Sequence, residues 1–163
     1  MRLSARVDYA LRAVAELALA AAGAAPDPTS RSPRPGNPLT AERIARAQEI
    51  PPKFLESILL QLRRGGIVHA QRGPEGGYWL ARPAAEISLA DVIRVIDGPL
   101  ANVRGQRPED LGYAGAAVAL QEVWIALRAS EREILELVTL ADIAAGKLPD
   151  RVQELAADPR AWV

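Results

Sequence analysis

The stretch PPKFLESILLQLRRGGIVHAQRGPEGGYWLAR, residues 51–82, leaves few folds open. Phe54, Leu55, Ile58, Leu59 and Leu62 recur at i, i+1, i+4, i+5 and i+8, which gathers them on one side of a 3.6-residue helix. Pro51 and Pro52 suit the start of that helix, where a missing N–H costs nothing. Arg63 and Arg64 fall at the negative end of its dipole, and Gly65-Gly66 supplies a residue able to go left-handed past the last turn. Lys53, Glu56, Ser57, Gln61 and Arg64 are left on the outer side. Residues 67–72 tolerate β structure, Gly73-Pro74-Glu75-Gly76-Gly77 breaks the run, and Tyr78-Trp79-Leu80 resumes it. A polar-faced helix followed by a glycine-rich hairpin with Arg72 at its base is the arrangement of a winged helix-turn-helix. There the helix enters a DNA major groove and the wing an adjacent minor groove. A small helix–hairpin unit with a solvated wing is the plainer alternative, and the neighbouring segments weigh against it.

Ser4 is a good N-cap for a first helix over residues 5–22, with Val7, Ala10, Leu11, Val14, Leu17, Ala18 and Ala21 turned inward. Arg2 and Arg6 lie at its start, where charge and free N–H groups both favour a phosphate. Residues 23–39 hold five prolines and almost no large apolar side chain, which predicts a flexible connector carrying Arg31 and Arg34. Thr40 caps a short helix over 41–48, with Ile44 and Ala45 inward, and Ile50-Pro51 turns into the helix described above. Beyond the wing, Ser88 and Asp91 open a capped helix with Leu89, Val92, Ile93 and Ile96 on one face, stopped at Gly98-Pro99.

Residues 100–115 read as a loop. A long amphipathic helix then runs from 116 to 138 or 140, with Leu120, Val123, Trp124, Leu127, Ile134, Leu135 and Val138 as its apolar stripe. Such a stripe needs a cover; a second copy of the chain is the simplest, and its own winged unit the alternative. Thr139 and Asp142 cap one more short helix ending at Gly146, and Trp162 in the tail is expected to dock on something apolar. The fold class is therefore mainly α with a small β-hairpin. A winged helix-turn-helix domain occupies 1–83, a linking helix and loop 84–115, and a dimerisation helix with C-terminal tail 116–163.

About half of the 163 residues are hydrophobic, enough for a real core. The chain has no cysteine and one histidine, which excludes thiolate-bound zinc, a cysteine-ligated iron–sulfur cluster and a cysteine nucleophile. His69 falls on a wing strand, a poor place for a triad. The glycines at 73–77 lie between two strands, the wrong context for a phosphate-cradling loop. No catalytic residue, metal ligand or cofactor is expected. The apolar run over 11–25 is short and broken by Arg12 and Glu16, and no cleavable signal stands out, so a cytoplasmic protein without a membrane partner is expected. Net charge is zero, but residues 1–83 hold 12 Lys+Arg against 7 Asp+Glu, and residues 84–163 hold 8 against 13. A basic nucleic-acid footprint joined to an acidic half gives that split.

The motifs MRLSARVDYALRA, IPPKFLESILLQLRRGGIV, RGPEGGYWLARP, ISLADVIRVIDGP, LQEVW and VTLADI, in that order, resemble the IscR/NsrR-type (Rrf-two) family of bacterial winged-helix transcription regulators. The resemblance covers most of the chain, and the RGPEGGY wing is its most specific part. It implies a homodimer joined by long helices that binds double-stranded DNA at a partly palindromic operator, most simply as a repressor. Carried over, Lys53, Glu56 and Ser57 face base edges and Arg72 enters the minor groove. Arg2, Arg63, Arg64 and the wing backbone at Gly76 and Gly77 hold phosphates. The chemistry agrees, since a carboxylate accepts from cytosine N4 and arginine favours a narrow minor groove. Many relatives carry an iron–sulfur cluster on cysteines in the loop corresponding to 100–115, or use a carboxylate and a histidine of the first helix. Here that loop has no cysteine and the first helix shows Asp8 and Arg12, so no cluster is expected.

Arg104, Arg107, Glu109, Asp110 and Tyr113 in that loop either line the site of a small-molecule or protein effector or are solvated loop residues, the commoner case. The competing function is a protein-interaction module whose winged unit has lost DNA binding and whose working surface is the acidic half with the Trp124 stripe.

Overall fold

The computed structural model describes residues 3–23 and 38–162. Helix α1, Ala5–Ala22, is the centre of the molecule. Ser4 accepts a hydrogen bond from the Val7 N–H at 3.2 Å, which fixes its start. Val7, Ala10, Ala13, Val14, Leu17 and Ala18 are buried, because α1 is packed by α2 (Ala41–Gln48), α3 (Pro52–Arg64), α4 (Leu89–Asp97), α6 (Leu140–Ala145) and the second hairpin strand. Its alanines let these neighbours come close. Helix α2 opens on Thr40, whose side chain accepts from the Arg43 N–H, and ends on Glu49 at a left-handed φ of 51°. Residues 24–37, most of the expected connector, lie outside the described residues. Its far end is anchored: Leu39 is buried and exchanges two backbone hydrogen bonds with Tyr78, at 3.0 and 2.8 Å.

In α3, Leu55, Ile58, Leu59 and Leu62 are fully buried. Phe54, expected on the same side, is instead 53% exposed and leans on Tyr9, with ring centroids 6.4 Å apart. It lies a full residue step round the helix from Leu55, past the edge of what the core covers. Gly66 takes the left-handed conformation at φ 72°. Gly65 is needed for space, since a Cβ there would fall 2.5 Å from Val95 Cγ1 on α4.

Strands β1 (Val68–Gln71) and β2 (Gly77–Leu80) form an antiparallel hairpin, with Val68 opposite Leu80 and Gln71 opposite Gly77. Ile67, Val68 and Leu80 seal its base into the core. The Ser88–Asp91 capping box starts α4 as expected.

Helix α5 spans Leu120–Leu135, shorter at both ends than the pattern predicts. A 3-10 turn over Gly115–Ala117 precedes it, with Gly115 at φ 58°. At the other end Val138 leaves the helix and accepts from the Leu89 N–H at 3.0 Å, while the Leu140 N–H donates to Ile87 at 2.9 Å. These bonds tie the chain back to the start of α4 and split the expected stripe. Leu135 and Val138 are buried inside this chain and Ile134 is half-buried, whereas Leu120, Val123 and Leu127 are exposed. Helix α6, placed by sequence with the dimerisation arm, packs on α1 instead, with Leu140 fully buried.

Helix α7, Asp150–Ala157, is an element that sequence reading missed, and Arg151 ties it to Glu133 at 3.0 Å. Trp162 does not dock: it is 79% exposed, and its indole N–H donates to Ala156. None of the helices among the described residues is long and apolar enough to cross a membrane.

Leu140→Ala is expected to destabilise the chain by about 2–5 kcal/mol, as for other fully buried leucines. Urea unfolding followed by circular dichroism checks it; a loss within about 0.5 kcal/mol, typical of surface positions, would mean that α6 is no part of the core.

Candidate nucleic-acid interface

The buried side of α3 leaves Lys53, Glu56, Ser57, Leu60 and Arg64 on the opposite stripe, at i, i+3, i+4, i+7 and i+11, and all five are exposed. Ser57 donates its hydroxyl to the Phe54 carbonyl at 2.9 Å, a contact within the helix that leaves its oxygen able to accept. Among the described residues, Lys53, Glu56, Arg63, Arg64 and Arg72 make no side-chain hydrogen bond or ion pair, and all are exposed. Arg72 directly follows β1, so the hairpin presents it at the start of the wing turn.

The arginines of the acidic half behave differently. Arg94 pairs with Glu136, Arg128 with Glu109 at 2.5 Å, Arg132 with Glu136 at 3.0 Å, Arg151 with Glu133 and Arg160 with Asp158. Hydrogen bonds from Arg94 and then Arg132 hold the Glu136 carboxyl below its ordinary value of 4.5. Glu109 is also held below its ordinary value, first by its own backbone N–H and then by Arg128. Five positive side chains of that half are thus neutralised in place, whereas the four on α3 and the wing, Lys53, Arg63, Arg64 and Arg72, stand unpaired.

The orientation of α3 is set from two sides. The Gln61 amide donates to the carbonyls of Val95 and Ile96 at 2.9 and 3.1 Å, and its oxygen accepts from Arg6 at 2.8 Å. Arg6 is thus spent on Gln61, whereas Arg2 lies outside the described residues.

Gly76 and Gly77 are required for the shape of the wing turn itself. The Gly76 N–H already donates to the Gly73 carbonyl at 2.9 Å, closing the wing turn. A Cβ on Gly76 would meet the Gln71 carbonyl at 2.3 Å, and one on Gly77, at φ 153°, would meet the Leu39 carbonyl at 2.7 Å. Both glycines make room for backbone. Sequence reading also missed Leu60, exposed at 46% in the middle of the outward stripe. Its i+7 spacing from Lys53 was the available signal, and an apolar side chain there suits a thymine methyl.

The loop over 100–115 is pinned rather than free. The Gln121 amide donates to the carbonyls of Pro108, Glu109 and Leu111, and the Trp124 indole N–H to the Tyr113 hydroxyl at 3.0 Å. Pro108 and Leu111 are buried.

The chain matches the Rrf2 family, described as iron-dependent transcriptional regulators, over residues 3–146. Rv1287 of Mycobacterium tuberculosis, named as an HTH-type transcriptional regulator, is 50% identical over 161 residues, covering 99% of this chain and 92% of that one. Among solved structures, CymR, the global cysteine regulator of B. subtilis, superposes with a TM-score of 0.69 at 27% identity, covering 90% of this chain and 98% of that one. IscR of T. potens does so with a TM-score of 0.66 at 25% identity, over 100% and 97%.

The donor set of this chain does not fit an iron–sulfur cluster held by cysteines, because it has none. In the loop over 100–115 Glu109 is committed to Arg128, and in α1 Asp8 is paired with Arg12 at 3.2 Å. His69 stands on β1 against Trp79, and no group of three or more His, Cys, Asp or Glu among the described residues is placed to hold a metal. What remains shared is the winged frame with its outward helix, and on that frame and the match along its length this chain belongs to the Rrf2 family of DNA-binding transcriptional regulators.

Proposed function

We propose that the chain is a homodimeric repressor of the cytoplasm that binds a partly palindromic operator without an iron–sulfur cluster. The observation that carries this reading is the unpaired stripe of α3 beside the unpaired wing arginine, both mounted on a buried helical frame. Lys53, Glu56 and Ser57 lie in the N-terminal half of α3, the half that meets base edges in helix-turn-helix proteins. Glu56 accepts from cytosine N4, Lys53 donates to guanine, and Ser57 adapts to either. Arg63 and Arg64 neutralise phosphates and set register. Arg72 follows the negative potential of a narrow minor groove.

The exposed end of α5 supports the second copy. Val118, Leu120 and Val123 are 58%, 40% and 52% exposed, and Trp124 is half-buried beside them. A second α5 laid against the first covers this end, while Ile134, Leu135 and Val138 already serve the chain's own fold. Twofold pairing then places two α3 helices about one helical turn of DNA apart, near 34 Å.

Arg72→Ala is expected to weaken operator binding by about 1–3 kcal/mol in a fluorescence-anisotropy titration. An unchanged affinity removes Arg72 from the interface. Val123→Glu places a charge in the proposed contact and is expected to shift the chain toward monomer in sedimentation, with loss of tight DNA binding. A wild-type chain that sediments as one copy at every concentration would sink the twofold scheme. In run-off transcription from an operator-bearing promoter, added protein is expected to reduce transcript; an increase would make it an activator.

A further inference from the structure

Behind the exposed end of α5, against the last turn of α4 and the residues that follow it, lies a cavity of about 390 Å³. Ile93, Leu100, Trp124 and Leu127 give it apolar walls, and Asp97 and Glu131 are its charged lining residues. No lysine, arginine or histidine lines it among the described residues. Glu131 is only 8% exposed, and its Oε2 is buried with no hydrogen-bond partner. It stands four residues after Leu127 and seven after Trp124, in the middle of the apolar stripe, where the spacing asks for a hydrophobic side chain.

A carboxylate buried without a counter-charge is costly, and one kept there faces a space that a cation can fill. Glu109 and Glu136 in this half are each matched by an arginine of the chain itself. Glu131 has no such arginine. We propose that this cavity binds a small organic cation, an amine or ammonium group on a short apolar body. The ammonium meets Glu131, with Asp97 adding to the negative potential. The apolar body lies against Ile93, Leu100 and Leu127. Trp124, whose indole N–H is held by Tyr113, adds an aromatic wall. The proposal stands on the cavity alone and holds whether or not the DNA-binding reading does.

The test is a thermal-shift and calorimetric titration of the full chain with n-hexylamine and 2-phenylethylamine, each against the alcohol of the same shape. Both amines are expected to raise the melting temperature saturably, and the alcohols to do so much less. Glu131→Gln is expected to weaken amine binding by roughly tenfold or more, the effect of losing one charge-assisted hydrogen bond. Glu133→Gln, at an exposed neighbouring carboxylate, is expected to leave it unchanged. Glu131→Leu is expected to melt at or above the wild-type temperature and to lose the preference for amines, which separates a binding role from a folding one. Equal response to amines and alcohols, no saturable shift, or full amine binding in both Glu131 variants would overturn the proposal. So would a Glu131→Gln chain whose only change is in self-association, since the cavity would then seat a basic side chain of a second copy.

Discussion

The structure depends on the burial of α1. This helix is covered by α2, α3, α4, α6 and β2, and three of its six buried positions are filled by Ala10, Ala13 and Ala18. Small side chains at those positions allow the surrounding helices to approach closely, and close approach is what gives an interior its density. Because α3 and α6 both pack on α1, they belong to one body. The Ser88–Thr139 bridge reinforces this by stitching the start of α4 to the start of α6.

Charge is distributed over this body with a consistent logic. Exposed ion pairs contribute little to stability, typically under about 1 kcal/mol each. Their effect here is to cancel the long-range field of Arg94, Arg128, Arg132, Arg151 and Arg160 in the acidic half. Lys53, Arg63, Arg64 and Arg72 are left uncancelled, and an unpaired cation releases counterions from a polyanion at no cost of breaking an internal bond first. Zero net charge is therefore compatible with a nucleic-acid surface, because what a phosphate backbone meets is the local field rather than the sum.

Much of the local structure was legible in the sequence. The bounds of α1 and α2, the proline start of α3 and the Ser88 and Thr139 capping boxes are written in side chains within four residues of the feature they control. What escaped was decided by distant partners. Periodicity places Phe54 beside Leu55, but only tertiary packing tells that the core stops short of it. The α5 stripe is continuous in sequence, yet one end is claimed by the Leu89–Val138 and Ile87–Leu140 bonds and the other is not. The close approach of Leu39 to Gly77, across a long gap in sequence, could not be read from the wing itself. Glu131 went unnoticed because a charge on an amphipathic helix is normally assigned to its wet side.

Gln61 has a mechanical meaning beyond its three hydrogen bonds. It projects from the flank of α3, between the buried and outward sides, and grips the last turn of α4 through two carbonyls that a helix end leaves without intrahelical donors. Rolling α3 about its own axis would tear both bonds, at about 1 kcal/mol apiece. The helix is keyed like a shaft in a slot, so the angle at which Lys53, Glu56 and Ser57 leave the surface is governed from behind them, by an amide that is itself no part of their stripe.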